Sequence, residues 1–229
     1  MAGAVRAGSA RDAEFWNRLY AKVGNRAIAT HTGHDDDAFA RSGRADTTFV
    51  LTEFLDGAPR GRILEIGCGA GRMTQHLADE FAEVVALDCT AAVLTELRTR
   101  LGDRPGITAV EGSEATLRDL PDGSFDAVLS YVVFQHVSLR EAVHEYVLQG
   151  ARLLGPGGVA AFQFRGDDLR ARAADLVGWA GRAITHRAFD RSWRGHRYGR
   201  REIAALAART DCAATMTSHG RHLWLVLRR

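Results

Sequence analysis

The chain has 229 residues, of which 46% are hydrophobic and 25% charged, and its formal net charge is +2. This length suits one domain with a full hydrophobic core, and the composition is that of an ordinary globular protein. No run approaches the roughly 18 uninterrupted apolar residues that span a bilayer, which argues against a membrane protein. The near-neutral charge gives no reason to expect a polyanionic partner such as nucleic acid.

The N-terminal residues and the cysteines both indicate an intracellular setting. Charges occur in MAGAVRAGSARDAEFW before any apolar core, so this start does not predict a secretory signal. The three cysteines, Cys68, Cys89 and Cys212, form no C-x-x-C pair or other metal-ligand spacing. We therefore expect a reducing, cytoplasmic location without structural disulfides or a zinc site.

The N-terminal part of the chain predicts two helices. Residues 11–23 place apolar side chains near helical spacing. The segment GNRAIATHTGHDDD interrupts this pattern, and a second helix follows from about Asp37 to Leu55. His31, His34 and the three aspartates that follow are metal-ligand types, but no further ligand set accompanies them. We expect no metal site, and we expect the aspartates to cap the second helix.

From residue 62 onward, short apolar strands alternate with helices. The sequence predicts strands at RILEIG, EVVALD, ITAV, FDAVLSYVV and VAAFQF, with helices at MTQHLADEF, TAAVLTELRTRL and LREAVHEYVLQGARLL. This alternation indicates right-handed crossovers and a parallel sheet. Residues 166–198 lose the pattern and fit a helical insertion. The helix REIAALAART and the strands AATMTSH and HLWLVLRR then close what we expect to be a single domain.

The first predicted strand ends in a glycine-rich turn, Gly67-x-Gly69-x-Gly71. Such a turn lets the backbone approach a ligand without interference from a Cβ atom, and the helix that follows presents free amide groups. The dinucleotide fingerprint G-x-G-x-x-G/A requires a small residue where this chain has Arg72. A dinucleotide is therefore disfavoured, and an NAD-dependent oxidoreductase is the weakest alternative.

Two acidic residues narrow the chemical class of ligand that the turn is predicted to bind. Glu65, at the end of the first strand, can attract a cationic ligand but would repel a pyrophosphate; alternatively it caps amides of the loop. Asp88, at the end of the second strand, can accept hydrogen bonds from both hydroxyls of a ribose. Together they predict a ribonucleoside cofactor whose tail is positively charged rather than phosphorylated.

Residues 62–165 resemble the class I S-adenosylmethionine-dependent methyltransferases, especially the small-molecule enzymes of the methyltransferase-11/25 type. LEIGCGAGR resembles their first motif, VVALD their second-strand acidic motif, LPDGSFDAVLSYVVFQHV their fourth-strand motif and LLGPGG the turn before their fifth strand. The resemblance implies an α/β, Rossmann-like fold whose seven-stranded sheet is mostly parallel, with an antiparallel last strand. The single domain then comprises an N-terminal helical cap (1–58), a cofactor-binding core (59–165), a substrate lid (166–198) and a closing helix and strands (199–229).

The resemblance also implies the contacts to S-adenosylmethionine. Asp88 holds the ribose hydroxyls and Cys89 touches the adenine. Ser113 or Glu114 reads the adenine amino group; the commonest family pattern has an aspartate where Ser113 stands. The predicted cofactor contacts are Tyr20, Glu65, Gly67, Cys68, Gly69, Gly71, Asp88, Cys89, Ser113, Glu114 and Ser130.

The methyl acceptor is expected to bind beside the residues that follow the fourth strand. His136 is the best candidate for a general base, which is needed only for a hydroxyl or a protonated amine; otherwise it packs the loop or orients the substrate. An aromatic residue of the first helix, Tyr20 or Trp16, closes over the cofactor or only packs onto the sheet. The predicted acceptor contacts are His31, Tyr131, Gln135, His136 and Arg165.

These residues predict methyl transfer to an O or N atom of a small-molecule acceptor, a specialised metabolite, by in-line displacement. The arginine-rich segment from Arg182 to Arg201 is either a lid that recognises an anionic acceptor or a solvated helix face. Alternatives are an RNA or protein methyltransferase, for which that segment would be the contact surface, and a non-catalytic S-adenosylmethionine-binding protein. The expected partner is a small molecule rather than nucleic acid or a membrane, and the oligomeric state stays open.

Overall fold

The structure is a computed structural model that describes residues 2–24, 35–167 and 196–229, with side chains from residue 10 onward. His31, His34 and residues 168–195 of the predicted lid lie outside the described residues. No helix in the described ranges is long and apolar enough to cross a membrane.

A seven-stranded sheet forms the centre of the molecule. Its strands lie in the order β3-β2-β1-β4-β5-β7-β6. Strands β1 to β5 pair in parallel, and β7 is antiparallel to both β5 and β6. This arrangement confirms the predicted Rossmann-like fold with an antiparallel last strand. The strand bounds are β1 Arg62–Ile66, β2 Glu83–Asp88, β3 Ile107–Glu111, β4 Phe125–Ser130, β5 Leu154–Arg165, β6 Ala213–His219 and β7 His222–Arg228.

Helices connect and flank the strands. Asp35 begins the second helix by accepting a hydrogen bond from the Ala38 amide through its side chain at 2.9 Å, which confirms the predicted aspartate cap. Two short 3₁₀ turns cover Thr116–Asp119 and Phe134–His136. The helix bounds are α1 Ala2–Val23, α2 Asp36–Glu53, α3 Thr74–Leu77, α4 Ala91–Leu101, α5 Arg140–Leu153 and α6 Arg200–Ala207.

Both faces of the central strands are buried, as parallel strands require, whereas the edge strand β6 is largely exposed. One face packs against α5 and α6 and contains Phe134, Phe162 and Tyr198. The other face packs against α2 and α3, where Trp224 stacks on Phe54 with 3.9 Å between ring centroids. The first helix contacts α4 and α5.

Several elements differ from their predicted bounds, and β5 begins at Leu154, five residues before the predicted start at Val159. The first helix begins at Ala2, well before the predicted start at residue 11. Helix α3 is only one turn long, within the predicted helix over 73–81. The predicted strand over 125–133 stops at Ser130, because Val132 has a φ of 61° and cannot continue an extended strand.

The order of the strands places the site. Because β1 lies between β2 and β4, the direction in which strands are added reverses at β1. In open α/β sheets a ligand crevice forms outside the carboxyl ends of the strands at such a point. Glu65 of β1, Asp88 of β2 and Ser130 of β4 all lie at these ends.

Helix α2 packs closely on the segment that follows the glycine turn. A Cβ atom on Gly43 would lie 1.9 Å from the carbonyl oxygen of Arg72, far inside contact distance. The His76 ring also hydrogen-bonds the Ala40 carbonyl through Nε2 at 2.9 Å. The backbone of α2 therefore touches the backbone beneath the candidate site.

This contact predicts the effect of replacing Gly43 by alanine. Gly43→Ala should lower the free energy of unfolding by about 2 kcal/mol through overpacking, although alanine is the better helix former by about 1 kcal/mol. Urea unfolding measures the change. Thr48→Ala, at an exposed position of the same helix, is the control and should stay near wild type. A Gly43→Ala protein as stable as wild type would contradict the close approach.

Candidate cofactor and acceptor site

The glycine turn has a backbone that only glycine adopts readily. Gly67, Gly69 and Gly71 have φ values of 75°, 55° and 83°. A Cβ atom on Gly67 would lie 2.3 Å from a methyl carbon of Val133. The amides of Gly67 and Cys68 both donate to the Leu87 carbonyl, at 2.7 and 3.1 Å. The turn is thus seated between the end of β2 and the loop that follows β4.

Asp88 joins the turn to the start of α4. Its Oδ2 accepts a hydrogen bond from the Gly69 amide at 3.0 Å, and its Oδ1 accepts one from the Thr90 amide at 2.9 Å. Burial raises the pKa of Asp88, and these amide hydrogen bonds oppose that rise. Asp88 is only partly buried, so its oxygens stay within reach of further donors such as ribose hydroxyls.

Glu65 is a buried acid, with 5% of its surface exposed. Its Oε2 accepts a hydrogen bond from the Thr74 hydroxyl at 2.6 Å, so its described partner is a side chain of α3. Burial raises the pKa of Glu65 to about 7, and the nearby Asp88 adds to the rise, whereas Thr74 and Arg72 oppose it. Near neutral pH a cation beside Glu65 would therefore favour its ionised form.

Arg72 lies beneath the turn and is only 8% exposed. Its guanidinium Nη1 is 2.6 Å from Asp46 Oδ2 and 3.4 Å from the Ser42 hydroxyl, both on α2. The Tyr131 hydroxyl hydrogen-bonds Asp46, and burial, with the Asp46 carboxylate second, raises the pKa of Tyr131. Tyr131 is thus a neutral phenol held by Asp46. Sequence reasoning missed Asp46, because it lies 26 positions from Arg72, in a helix with no marked pattern.

The residues predicted to face the adenine differ in their surroundings. Burial, with the charge of Asp88 second, raises the pKa of Cys89 to about 12, so its thiol stays neutral. The Ser113 hydroxyl accepts a 3.4 Å hydrogen bond from the Ala115 amide. Glu114 is buried beside Tyr146, whose pKa is raised by burial and by Glu114. The choice between Ser113 and Glu114 stays a prediction.

Ser130 ends β4 between Ile66 of β1 and Phe162 of β5. It is fully buried, and its hydroxyl has no hydrogen-bond partner among the described residues. A buried hydroxyl without a partner is uncommon, because losing its hydrogen bonds to water costs about 1–3 kcal/mol.

The predicted acceptor side begins directly after β4. Phe134 is buried and stacks near Phe162, with 5.9 Å between ring centroids. The Nε2 atoms of Gln135 and His136 are 3.0 Å apart, and the His136 ring lies 5.5 Å from the Trp16 ring in an edge-to-face arrangement. His136 therefore has contacts on both its own turn and α1.

Helix α1 bridges the two sides of the site. Asp12 Oδ2 accepts a hydrogen bond from the Ser138 amide at 3.0 Å, just before α5, and Asn17 Oδ1 accepts one from the Ala92 amide of α4 at 3.3 Å. Tyr20 packs against the apolar cluster that contains Cys68 and Leu94. Of the two α1 residues predicted to close over the cofactor, Tyr20 thus lies towards the glycine turn and Trp16 towards His136.

Arg165 lies at the carboxyl end of β5. Its carbonyl accepts a hydrogen bond from the Tyr198 amide at 2.8 Å, and it pairs in register with His222 of β7. Gly166, the next residue, donates to the Arg221 carbonyl at 3.0 Å. The backbones of Arg165 and Arg221 therefore lie close together at this corner, and Arg197 Nη1 donates to the Gly166 carbonyl there at 3.0 Å.

The chain is similar in sequence to known methyltransferases. A family model described as a methyltransferase domain matches residues 64–162. The malonyl-[acyl-carrier protein] O-methyltransferase of Salmonella typhimurium is 30% identical over 210 residues, which cover 86% of this chain and 79% of that protein. The corresponding protein of Geobacter sulfurreducens is 32% identical over 174 residues, and the match covers 71% of this chain but only 64% of the relative.

A solved structure has the same fold. Phosphoethanolamine N-methyltransferase 1 of Haemonchus contortus, in complex with phosphoethanolamine and S-adenosylhomocysteine, superposes with a TM-score of 0.68. The match covers 98% of this chain and 49% of that one, at 17% identity.

The fold, the strand-end carboxylates and the sequence similarity agree. The chain belongs to the class I S-adenosylmethionine-dependent methyltransferases. Membership of this family makes S-adenosylmethionine the cofactor and confirms the family and the cofactor predicted from the motifs.

The raised pKa of Glu65 predicts how stability depends on pH. The unfolded chain loses this proton near pH 4.5, whereas the folded chain keeps it to about pH 7. The contribution of Glu65 to stability is therefore complete below pH 4.5 and is lost as pH rises towards 7, with a slope of at most about 1.4 kcal/mol per pH unit. Glu65→Gln should remove this loss.

Urea unfolding of both proteins across this pH range measures the difference. Asp88 and Asp12 also have raised pKa values, but both proteins contain them, so the difference isolates Glu65. The exposed Glu53 of α2 provides the control, and Glu53→Gln should follow the wild-type curve. Parallel curves for wild type and Glu65→Gln would contradict the raised pKa.

Proposed function

We propose that this protein transfers the methyl group of S-adenosylmethionine to an O or N atom of a small-molecule acceptor, a specialised metabolite. The observation that supports it best is the pair Glu65 and Asp88, a buried and a partly buried carboxyl at the ends of neighbouring strands beside the glycine turn. Burial disfavours their charged forms, so a ligand that supplies positive charge and hydroxyl donors would stabilise both.

The described residues fit this cofactor. Asp88 keeps acceptor capacity for a ribose after binding the Gly69 and Thr90 amides. Ser130 offers a buried hydroxyl that lacks a partner within the described part of the chain, and a ligand in the crevice would supply one. Glu65, with a pKa near 7, suits the cationic methionine end of the ligand.

In the reaction, the residues of this chain position the acceptor and move its proton. When bound, S-adenosylmethionine supplies an electrophilic methyl group, so no metal is required of the protein. Tyr131, fixed by Asp46, forms one wall of the acceptor site as a neutral hydroxyl. His136 would accept the proton of a hydroxyl or ammonium acceptor at Nε2 once the acceptor displaces the Gln135 amide from that atom, and Trp16 lies edge-on against the ring. Such positioning contributes roughly 7–11 kcal/mol of barrier reduction.

An acyl group bound to a carrier protein is a second candidate acceptor. The two relatives above are named for a malonyl-[acyl-carrier protein] substrate, and one of them matches 86% of this chain. The arginines at the corner of β5 and β7 would suit the negative charge of such an acceptor. Assays with a free acid and with the same acyl group on a carrier protein separate the two candidates, and an RNA or protein acceptor is tested in the same screen.

The first functional prediction concerns Asp88. Asp88→Asn should weaken S-adenosylhomocysteine binding by roughly tenfold or more, because hydrogen bonds from the ribose to a charged acceptor are lost. Isothermal titration calorimetry measures the affinity, and the melting temperature shows whether the loop still folds. Asp103→Asn, at an exposed position after α4, is the control. Unchanged affinity in a folded Asp88→Asn protein would remove the ribose assignment.

The second functional prediction concerns His136. His136→Ala should lower turnover by roughly 100-fold if the imidazole is the base, with cofactor affinity close to wild type. Methyl transfer from labelled S-adenosylmethionine measures turnover on an acceptor identified in the screen. His219→Ala, on the edge strand β6, is the matched control and should retain full activity. Full activity of His136→Ala would assign His136 to packing alone.

A further inference from the structure

Val132 has a backbone conformation that valine rarely adopts. Its φ of 61° lies in the left-handed region, and no other non-glycine residue in the described ranges has a positive φ. Left-handed backbone is a genuine outlier for a β-branched side chain. Such strain persists only where the surroundings impose it, and it concentrates at functional sites.

Gln163 provides the contact that holds this conformation. The side-chain Oε1 of Gln163 accepts a hydrogen bond from the Val132 amide at 3.0 Å. Gln163 is only 5% exposed and lies at the carboxyl end of β5, one residue beyond the Phe162–Ser130 pair. A backbone N–H can only donate, so the amide oxygen of Gln163 must face it.

The residues on either side of Val132 build the acceptor side. Tyr131 precedes it and hydrogen-bonds Asp46 of α2. Val133 follows and packs on Gly67 of the cofactor turn. Phe134 is then buried in the core, and His136 ends the short 3₁₀ turn. A change of φ at Val132 would therefore move Tyr131 relative to His136.

We propose that Gln163 is a positioning residue that locks Val132 in the left-handed conformation and so fixes Tyr131 and His136 around the acceptor. The proposal rests on the proposed function for the identity of the acceptor side. Gln163 acts through the backbone and needs no contact with the acceptor or the cofactor.

The lock makes a specific prediction about pairs of variants. Gln163→Leu keeps the size of the side chain but removes the oxygen that accepts the hydrogen bond of the Val132 amide. The backbone at Val132 can then relax to a negative φ. Glycine adopts a positive φ without strain, so Val132→Gly should let the turn stay in place without Gln163. Val132→Ala removes the same methyl groups but keeps a Cβ atom, and it is the matched control. Gln149→Leu on α5 controls for the loss of a side-chain amide elsewhere.

Two readouts that need no activity test the lock itself. Amide hydrogen exchange should show the Val132 amide exchanging roughly tenfold faster in Gln163→Leu, the factor expected for one lost hydrogen bond. In urea unfolding, the loss of stability from Gln163→Leu should be smaller in the Val132→Gly background than in the Val132→Ala background. Unchanged exchange, or equal losses in both backgrounds, would overturn the lock.

Methyl-transfer kinetics test the positioning role. Gln163→Leu should lower kcat/KM for the acceptor by roughly tenfold or more, while affinity for S-adenosylhomocysteine stays within about twofold of wild type. Adding Val132→Gly should restore most of kcat/KM, and adding Val132→Ala should not. Equal losses of cofactor affinity and turnover, or no rescue by glycine, would reduce Gln163 to a structural role. Failure of the wild-type protein to methylate any acceptor would overturn the proposed function, but the exchange and unfolding results would still decide the lock.

Discussion

The double hydrogen bond made by the Asp88 carboxylate is the interaction on which the candidate site depends. One oxygen binds the Gly69 amide of the cofactor turn and the other binds the Thr90 amide at the start of α4. A turn of three glycines with positive φ has many alternatives when free, because glycine loses more conformational freedom on folding than any other residue. Asp88 restricts it from one side, and the Leu87 carbonyl restricts it from β2. The cofactor side of the crevice is therefore ordered by the strand ends themselves.

Helix α2 supports the same crevice from below and couples its two sides. Asp46 contacts Arg72, which follows the glycine turn, and Tyr131, which follows β4. Gly43 allows the helix to approach the Arg72 carbonyl closely enough for these contacts. Because one carboxylate binds a residue from each side, a shift of α2 would displace the cofactor turn and the acceptor wall together. Helix α1 bridges the opposite side in a similar way, through Asp12 and Asn17.

Local sequence patterns predicted most of the strands and helices of this fold. EVVALD is a strand over the same residues as predicted, since apolar β-branched residues in a buried parallel strand leave little alternative. The glycine spacing and the two strand-end acids predicted the cofactor class. Residues that act at a distance were missed: Asp46, Asp12 and Asn17 lie on helices whose sequence shows no sign of their partners. The valine side chain favours a strand, so the pattern predicts Val132 within one. Its actual φ of 61° accompanies a hydrogen bond to Gln163, 31 positions away, which no local pattern indicates.

The charges at the crevice also affect how tightly the cofactor binds relative to its product in the proposed reaction. Glu65 is buried and Asp88 is partly buried, and desolvation raises the pKa of both, so two negative charges are disfavoured there. A sulfonium cofactor offsets this cost while it carries its positive charge. After methyl transfer the sulfur would be a neutral thioether, so the carboxyls would lose its attraction, although the α-ammonium group of the product stays charged. The two acids would thus favour the cofactor over its product only through the positive charge on sulfur.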